Sequence, residues 1–271
     1  MGRSIAILLA VLGLAASLVS APARASSESP ILSRILSSGT LRVGMSGGQP
    51  PLNFKSKSGE LMGLEVELAQ ALAGIMNLEL KIVEKPFSKL LGALAGGEVD
   101  LVISGLTITP ERNTKCAFVG PYFLSGKSIL TRSTSLAQVD EAADLNQADL
   151  KLAALEGSTS QQFVESRLPK ASLVTTADYD EAVNLLLADQ VNALVADREI
   201  VRLTAFLHPK EGLATLPETL TIEPIGIAAP PGDVLLVNYL ENALRALETS
   251  GFLSAVRARW IERSDWIQQL P

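Results

Sequence analysis

Short apolar runs alternate with amphipathic helical stretches along most of this chain, and that alternation limits the fold more than any other feature. "LRVGM" reads as a strand, "EVELAQALAGIMN" as an amphipathic helix, "LELKIVE" as a strand, "FSKLLGALAGG" as a helix and "VDLVIS" as a buried strand. This order implies βαβ units, and hence a parallel sheet covered by helices. A second such region starts at "LKLAALEGSTSQQFVESRL" and runs through "ASLVTT", the helical "DYDEAVNLLLADQ" and the strand "NALVAD". "PILSRILSSG" is a short helix stopped at Gly39, and "VLLVNYLENALRALETSGFLSAVRARWIERS" reads as two helices broken at Gly251.

Two stretches echo each other. "EVDLVIS" (Glu98–Ser104) aligns with "QVNALVA" (Gln190–Ala196), each after a Leu-rich helix. The next residue is Gly105 in the first and Asp197 in the second, so each sits just past the carboxyl end of a buried strand. In open α/β sheets that edge is where ligands bind. Two similar lobes, each offering a strand end to a shared cleft, account for the pattern.

With 271 residues, 47% of them apolar, the chain can bury an ample core in one or two domains. Its start carries Arg3, an apolar stretch from Ile5 to Val19 and the triplet Ala23-Arg24-Ala25. This reads as a secretory signal cleaved after Ala25, and the expected home is a bacterial-type periplasm. Cys116 is far from that point and is the single cysteine, so neither a lipid anchor nor an internal disulfide is expected. Cleavage removes two of the 23 basic residues (Arg3 and Arg24) and leaves 21 against 29 acidic ones. That balance argues against nucleic acid or an anionic membrane as partner.

"SGLTITPER" (Ser104–Arg112) is the first candidate site. Gly105 admits a ligand close to the backbone, Thr107 adds a hydroxyl, and the Arg112 fork matches a carboxylate. Equally, Thr109 could cap a short helix with Pro110 first and Arg112 in solvent. "EGSTSQQF" is the second: backbone N–H groups at a helix start, with Ser158 and Thr159, suit an anion, although an ordinary cap is the plainer reading. Asp197 could meet an ammonium across the cleft or cap the helix "REIVRL". "SGKS" (Ser125–Ser128) ends like a phosphate loop, but the earlier glycine falls on Pro121 and the motif fails. His208 is the single histidine, which leaves no His-based metal cluster and weakens a Ser–His hydrolase reading; Cys116 in "CAFV" reads as core. No cofactor, metal or catalytic residue is assigned.

In order, "GTLRVGM", "GELMGLEVELAQALA", "FSKLLGALAGGEVDLVISGLTITPER", "FVGPYFLSGKSIL", "GSTSQQF", "VNALVAD" and "SGFLSAVRARW" resemble the family 3 extracellular solute-binding proteins, the periplasmic amino-acid receptors of ABC importers. The resemblance implies a periplasmic-binding-protein-like α/β flytrap, each of its two lobes a mostly parallel sheet flanked by helices, with a two-strand hinge. After the signal (1–25) and a leader (26–38), lobe 1 would take 39–127 and the return segment 223–271, and lobe 2 would take 128–222. By the same resemblance Arg112, Thr107 and Gly105, with Ser104 at the head of the socket, hold an α-carboxylate. Thr159 and Ser158 complete that clamp, Asp197 takes the α-ammonium, and Phe87 stacks on the ligand.

Three positions bear on the ligand's side chain. Gln49 stands where members usually have a Tyr or Phe, and Ser46 where many have an acidic residue. Glu156, beside the clamp, favours a cationic or amide side chain unless it is a solvated lip charge. The expected function is a monomeric, non-enzymatic receptor that closes on a polar L-amino acid or close derivative and hands it to a membrane permease. The alternatives are a cyclohexadienyl (arogenate-type) dehydratase on the same fold and a ligand-sensing module. For the dehydratase, Glu199 is expected to point away from Asp197.

Overall fold

Pro30, whose fixed φ suits the first position of a helix, starts α1 (Pro30–Ser38), and Gly39 ends it in the left-handed region. The computed structural model describes residues 29–271, so the signal, its cleavage point and leader residues 26–28 lie outside the described residues. The first pass of the chain gives β1 (Thr40–Met45), β2 (Gly48–Gln49), β3 (Asn53–Lys55), β4 (Leu61–Met62), α2 (Leu64–Ile75), β5 (Glu79–Glu84) and α3 (Leu90–Ala95). It continues with β6 (Leu101–Val102), α4 (Pro110–Asn113) and β7 (Ala117–Ser125). After Gly126 come β8 (Lys127–Thr131), β9 (Lys151–Leu155), α5 (Thr159–Arg167), β10 (Ser172–Thr176), α6 (Tyr179–Leu187), β11 (Ala193–Asp197), α7 (Arg198–Leu207) and β12 (Ala214–Thr215). The return is β13 (Glu223–Ala229), α8 (Val234–Thr249) and α9 (Phe252–Arg257), with Gly251 breaking the two helices.

Two five-stranded sheets result, in the orders β5-β1-β6-β13-β7 and β10-β9-β11-β8-β12, beside a small β2-β3-β4 sheet. Each has a parallel half made by βαβ units: β1 lies between β5 and β6, and β9 between β10 and β11. The other half is antiparallel because the crossing strands return: β13 against β6 and β7, and β8 against β11 and β12. The echoed sequences form β6 and β11, and each holds the central place of its sheet.

Burial follows from this layering. β8 and β11 are buried along their whole length, as strands covered on both faces are. In lobe 1, Val43, Leu68, Leu101, Ile225 and Leu240 are fully buried, and Phe54, Trp260 and Trp266 stack with ring centroids 5.3–5.9 Å apart. Leu152, Val195 and Leu145 fill lobe 2. Each fully buried leucine is worth about 1.5–3 kcal/mol. A further apolar cluster joins Leu90, Val102 and Leu106 of lobe 1 to Leu130, Leu155 and Tyr179 of lobe 2, so the lobes press on each other. Asp100, just ahead of β6, is buried and would be raised by burial. However, Arg42 and Arg34, at 2.6 and 2.7 Å, hold its carboxyl below the usual carboxylate range and fix β6 beside β1. Among the described residues no helix is long and apolar enough to cross a membrane.

The chain passes between the sheets at Gly126 and again just before Glu223. A Cβ on Gly126 would lie 2.6 Å from Thr219 Cβ and closer still to the Thr221 carbonyl, so the crossings can pack this tightly only with glycine there. Gly126→Ala should cost about 1–3 kcal/mol in chemical denaturation. Gly92→Ala, in α3 with nothing within 4 Å of its Cβ, should gain about 0.5–1 kcal/mol. Equal stability of wild type and Gly126→Ala would remove the steric argument for the crossing.

Candidate functional site

Most strand ends that face the other lobe carry a polar residue, and β5 is followed by an aromatic. Ser46 follows β1, Ser104 to Thr107 follow β6, and Phe87 follows β5. From lobe 2, Glu156 to Thr159 follow β9, Asp178 and Tyr179 follow β10, and Asp197 ends β11. These are carboxyl ends of parallel strands, where loop backbone and helix N-termini converge. Between them lies a cavity of about 250 Å³ lined by Ser46, Gln49, Phe87, Leu155, Asp178 and Tyr179, among others. A larger groove of about 750 Å³ lies on the outer face of lobe 1 between β7 and α8, and gathers none of the strand-end groups.

On the lobe 1 side, Thr109 caps α4 by accepting from the Arg112 N–H, with Pro110 at the first helical position. That cap does not leave Arg112 in solvent, since its side chain turns inward and the residue is 6% exposed. Nη1 donates to the Thr107 carbonyl and Nη2 to the Gly157 carbonyl of the other lobe, both at 3.0 Å, and the guanidinium lies 6.0 Å from the Phe87 ring centre. Burial lowers the pKa of this arginine, against the charges of Asp197 and Glu223. Gly105, at φ +57°, donates its N–H to Glu65 Oε1 at 2.6 Å. Ser104 Oγ donates to Gln49 Oε1 at 3.1 Å and accepts from the Ser46 N–H at 3.0 Å. Asn53 donates to Glu65 and also meets Gln49 at 3.3 Å, and Tyr122 donates to Glu65 as well. Full burial pushes the Glu65 carboxyl up in spite of these donors.

On the lobe 2 side, Ser158 is spent as a cap: its Oγ accepts from Gln161 N–H at 3.1 Å and donates to the Leu155 carbonyl at 2.6 Å. Thr159 Oγ1 lies 3.1 Å from Thr107 Oγ1, directly across the cleft, and donates to Glu223 Oε2 at 3.2 Å. Glu156 is an exposed lip residue that accepts from Ser88 Oγ at 3.1 Å. Asp197 makes no cap bond to α7; its Oδ1 receives Lys127 Nζ at 2.5 Å, with Glu223 Oε2 at 3.5 Å from the same nitrogen. Burial would raise Glu223, but Lys127 and the hydroxyls of Thr221, Thr107 and Thr159 together hold it below the usual range.

The sequence-assigned residues Arg112, Thr107, Thr159, Ser104, Gln49, Ser46 and Phe87 thus gather at one cleft. The assignments of Gly105 and Ser158 meet protein partners instead, and the Asp197 carboxylate is held by Lys127. Four contributors went unseen in the sequence. Lys127 is a lone cation heading an apolar strand, and Glu223 a lone acid in "TIEPIGIAA". Glu65 shares the apolar face of α2 with Leu68, Ala69 and Leu72, the one signal of a buried carboxylate. Tyr179 follows the Asp178 cap of α6 and is buried against the cavity; burial, then Asp197, pushes its hydroxyl well above the ordinary range. Among the described residues no group of three His, Cys, Asp or Glu side chains could hold a metal ion.

Glu199 turns into the hinge, where Ser125 Oγ donates to its carboxylate. Burial, aided by the charge of Asp197, pushes it above the ordinary glutamate range despite that bond and Arg198. A raised folded pKa favours the protonated form, so this stabilisation is complete below the ordinary glutamate pKa and is lost as pH rises through the folded value. Glu199→Gln, which stays neutral, should match wild type in thermal unfolding near about pH 4 and exceed it increasingly toward about pH 8. A gap that does not grow with pH would mean that Glu199 ionises as freely folded as unfolded.

Residues 41–263 match the family model for bacterial extracellular solute-binding proteins, family 3. The cyclohexadienyl dehydratase of Pseudomonas aeruginosa is 27% identical over 235 residues, covering 85% of this chain and 86% of that one. The L-cystine-binding protein TcyJ of Escherichia coli K12 is 26% identical over 230 residues, covering 85% of each. Among solved structures, the ancestral amino-acid-binding protein AncCDT-1, a precursor of cyclohexadienyl dehydratase, superposes with a TM-score of 0.77 at 32% identity, covering 85% of this chain and 98% of its own. The match spans both sheets, the two crossings and every strand end that lines the cleft: this chain belongs to the bacterial extracellular solute-binding proteins, family 3.

Proposed function

We propose that the protein is a periplasmic, non-enzymatic receptor that captures a polar amino acid or a close derivative between its lobes and delivers it to an ABC-type importer. One observation carries this reading. Arg112 is a buried guanidinium at the meeting of the lobes whose two hydrogen bonds go to backbone carbonyls, one from each lobe. A buried cation is costly without an anion. A ligand carboxylate at its remaining N–H donors, beside Thr107 and the first turn of α5, would supply one and favour closure.

The surroundings support a small polar ligand. The cavity of about 250 Å³ is walled by Phe87 and Tyr179, with Ser46 and Gln49 offering polar contacts and Asp178 on its lobe 2 side. The relatives' names agree with this class: one is an L-cystine-binding protein and a structural neighbour is an amino-acid-binding protein.

A dehydratase reading has one relative in its favour and one candidate acid, Glu199. That acid is bonded to Ser125 in the hinge and is not among the residues that line the cavity, which favours the receptor reading. A thermal-shift screen of ligand-stripped protein against amino acids, their amides, their deaminated derivatives, prephenate and arogenate tests it. One polar ligand class should give a shift, since ligand at a hundred times its Kd adds about 2.7 kcal/mol. Arg112→Ala should then weaken that ligand by about 2–5 kcal/mol in calorimetry. Affinity within about tenfold of wild type would sink the carboxylate socket, and turnover of prephenate or arogenate would move the enzyme reading to the front.

A further inference from the structure

The receptor reading admits an amino acid or a close derivative, and the ion pair at the carboxyl end of β11 bears on which of the two. Lys127 and Asp197 are directly opposite each other in the antiparallel ladder of β8 and β11. Residues so paired have side chains on one face with Cβ atoms about 4.5–5.5 Å apart. Their ion pair at 2.5 Å is therefore set by sheet register inside lobe 2, and lobe movement does not make or break it. Lys127 is 1% exposed and Asp197 8%. From this pair a continuous polar chain leads to the clamp: Lys127 to Glu223 at 3.5 Å, Glu223 to Thr159 at 3.2 Å, and Thr159 to Thr107 at 3.1 Å.

We infer that Lys127 is a specificity-determining residue, which supplies from within the protein the ammonium that Asp197 would otherwise take from a ligand, so that the cleft selects carboxylates bearing an α-oxygen in place of an α-ammonium: 2-hydroxy or 2-oxo acids with a small polar side chain. The inference rests on the receptor reading above. A lysine ammonium has three donors and no acceptor. A hydroxyl or carbonyl oxygen beside the ligand carboxylate can accept from it, whereas a second ammonium brings donors to donors and like charge to like charge in a buried place. Glu223 does not offer the ammonium another seat, because Thr221 Oγ1 at 2.8 Å, Thr159 Oγ1 and Lys127 already surround its carboxylate.

Calorimetry on the ligand-stripped protein, with two matched triplets and a pair, tests this: serine, glycerate and hydroxypyruvate; glutamate, 2-hydroxyglutarate and 2-oxoglutarate; glutamine and 2-oxoglutaramate. In the set that binds, the α-oxygen members should bind at least about tenfold tighter than the amino acid. Lys127→Met, which frees Asp197, should reverse that order, and Lys127→Met/Asp197→Asn should abolish the gain for the amino acid. The wild-type order is informative even if a variant fails to fold. Tightest binding of the amino acid by wild type overturns the inference and leaves the receptor reading standing. If no member of an extended panel binds the folded protein, the receptor reading falls and this inference falls with it.

Discussion

Lys127 and Asp197 face each other because β8 runs antiparallel to β11 with those two residues in register, and much else depends on that pairing. β8 begins one residue past the crossing at Gly126, so the register that seats the ion pair also sets where the chain enters lobe 2. The Lys127 N–H donates to Thr221 Oγ1 at 3.0 Å, and the Leu220 N–H to the Lys127 carbonyl at 2.7 Å, which ties the second crossing to the first. A slip of one residue would put the lysine on the opposite face of the sheet, away from Asp197. The buried charge therefore penalises wrong registers as well as occupying the strand end.

Around this pair the buried charges are divided between the lobes and the hinge. Arg112 stands on lobe 1 and reaches a carbonyl of lobe 2; Glu223 stands on the return crossing and reaches a lobe 2 hydroxyl. Glu65 is enclosed in lobe 1 by Tyr122, Asn53 and the Gly105 N–H, and Glu199 is enclosed at the hinge by Ser125. The two glutamates lacking a cation strong enough to offset burial are raised, whereas Glu223, beside Lys127, is lowered. Burial is similar in kind at all three; the neighbouring ammonium decides the sign.

Periodicity carried the elements because it depends on local sequence: the strands ending at Asp197 and Thr176, and the helices stopped by Gly39 and Gly251, are readable from a few residues each. The same holds for Thr109 and Ser158, whose caps follow from residue type next to a helix start. What a window of sequence does not contain is which side chains a sheet sets face to face. Lys127 lies 70 positions from Asp197, and Glu223 lies 64 from Thr159. The sequence reads Gly105 as a place where a ligand comes close to the backbone, whereas its N–H goes to Glu65, 40 residues earlier. The family resemblance assigns residues to a cleft, and pairing across the sheets decides which partners those residues meet.

A receptor and a lyase can share this frame because both need a carboxylate held where strand ends meet, and a lyase adds a proton donor poised over the ligand. In this chain Glu199, at the second residue of α7, is one of two glutamates that burial raises, and its bond is to Ser125 on the hinge side. Successive residues of a helix project about 100° apart. An acid one or two positions away on the same turn would therefore face a different wall, and a small change in sequence could carry the donor from hinge to cleft. Beside such an acid, the strand-end carboxylate of Asp197 is already held by the ammonium of Lys127.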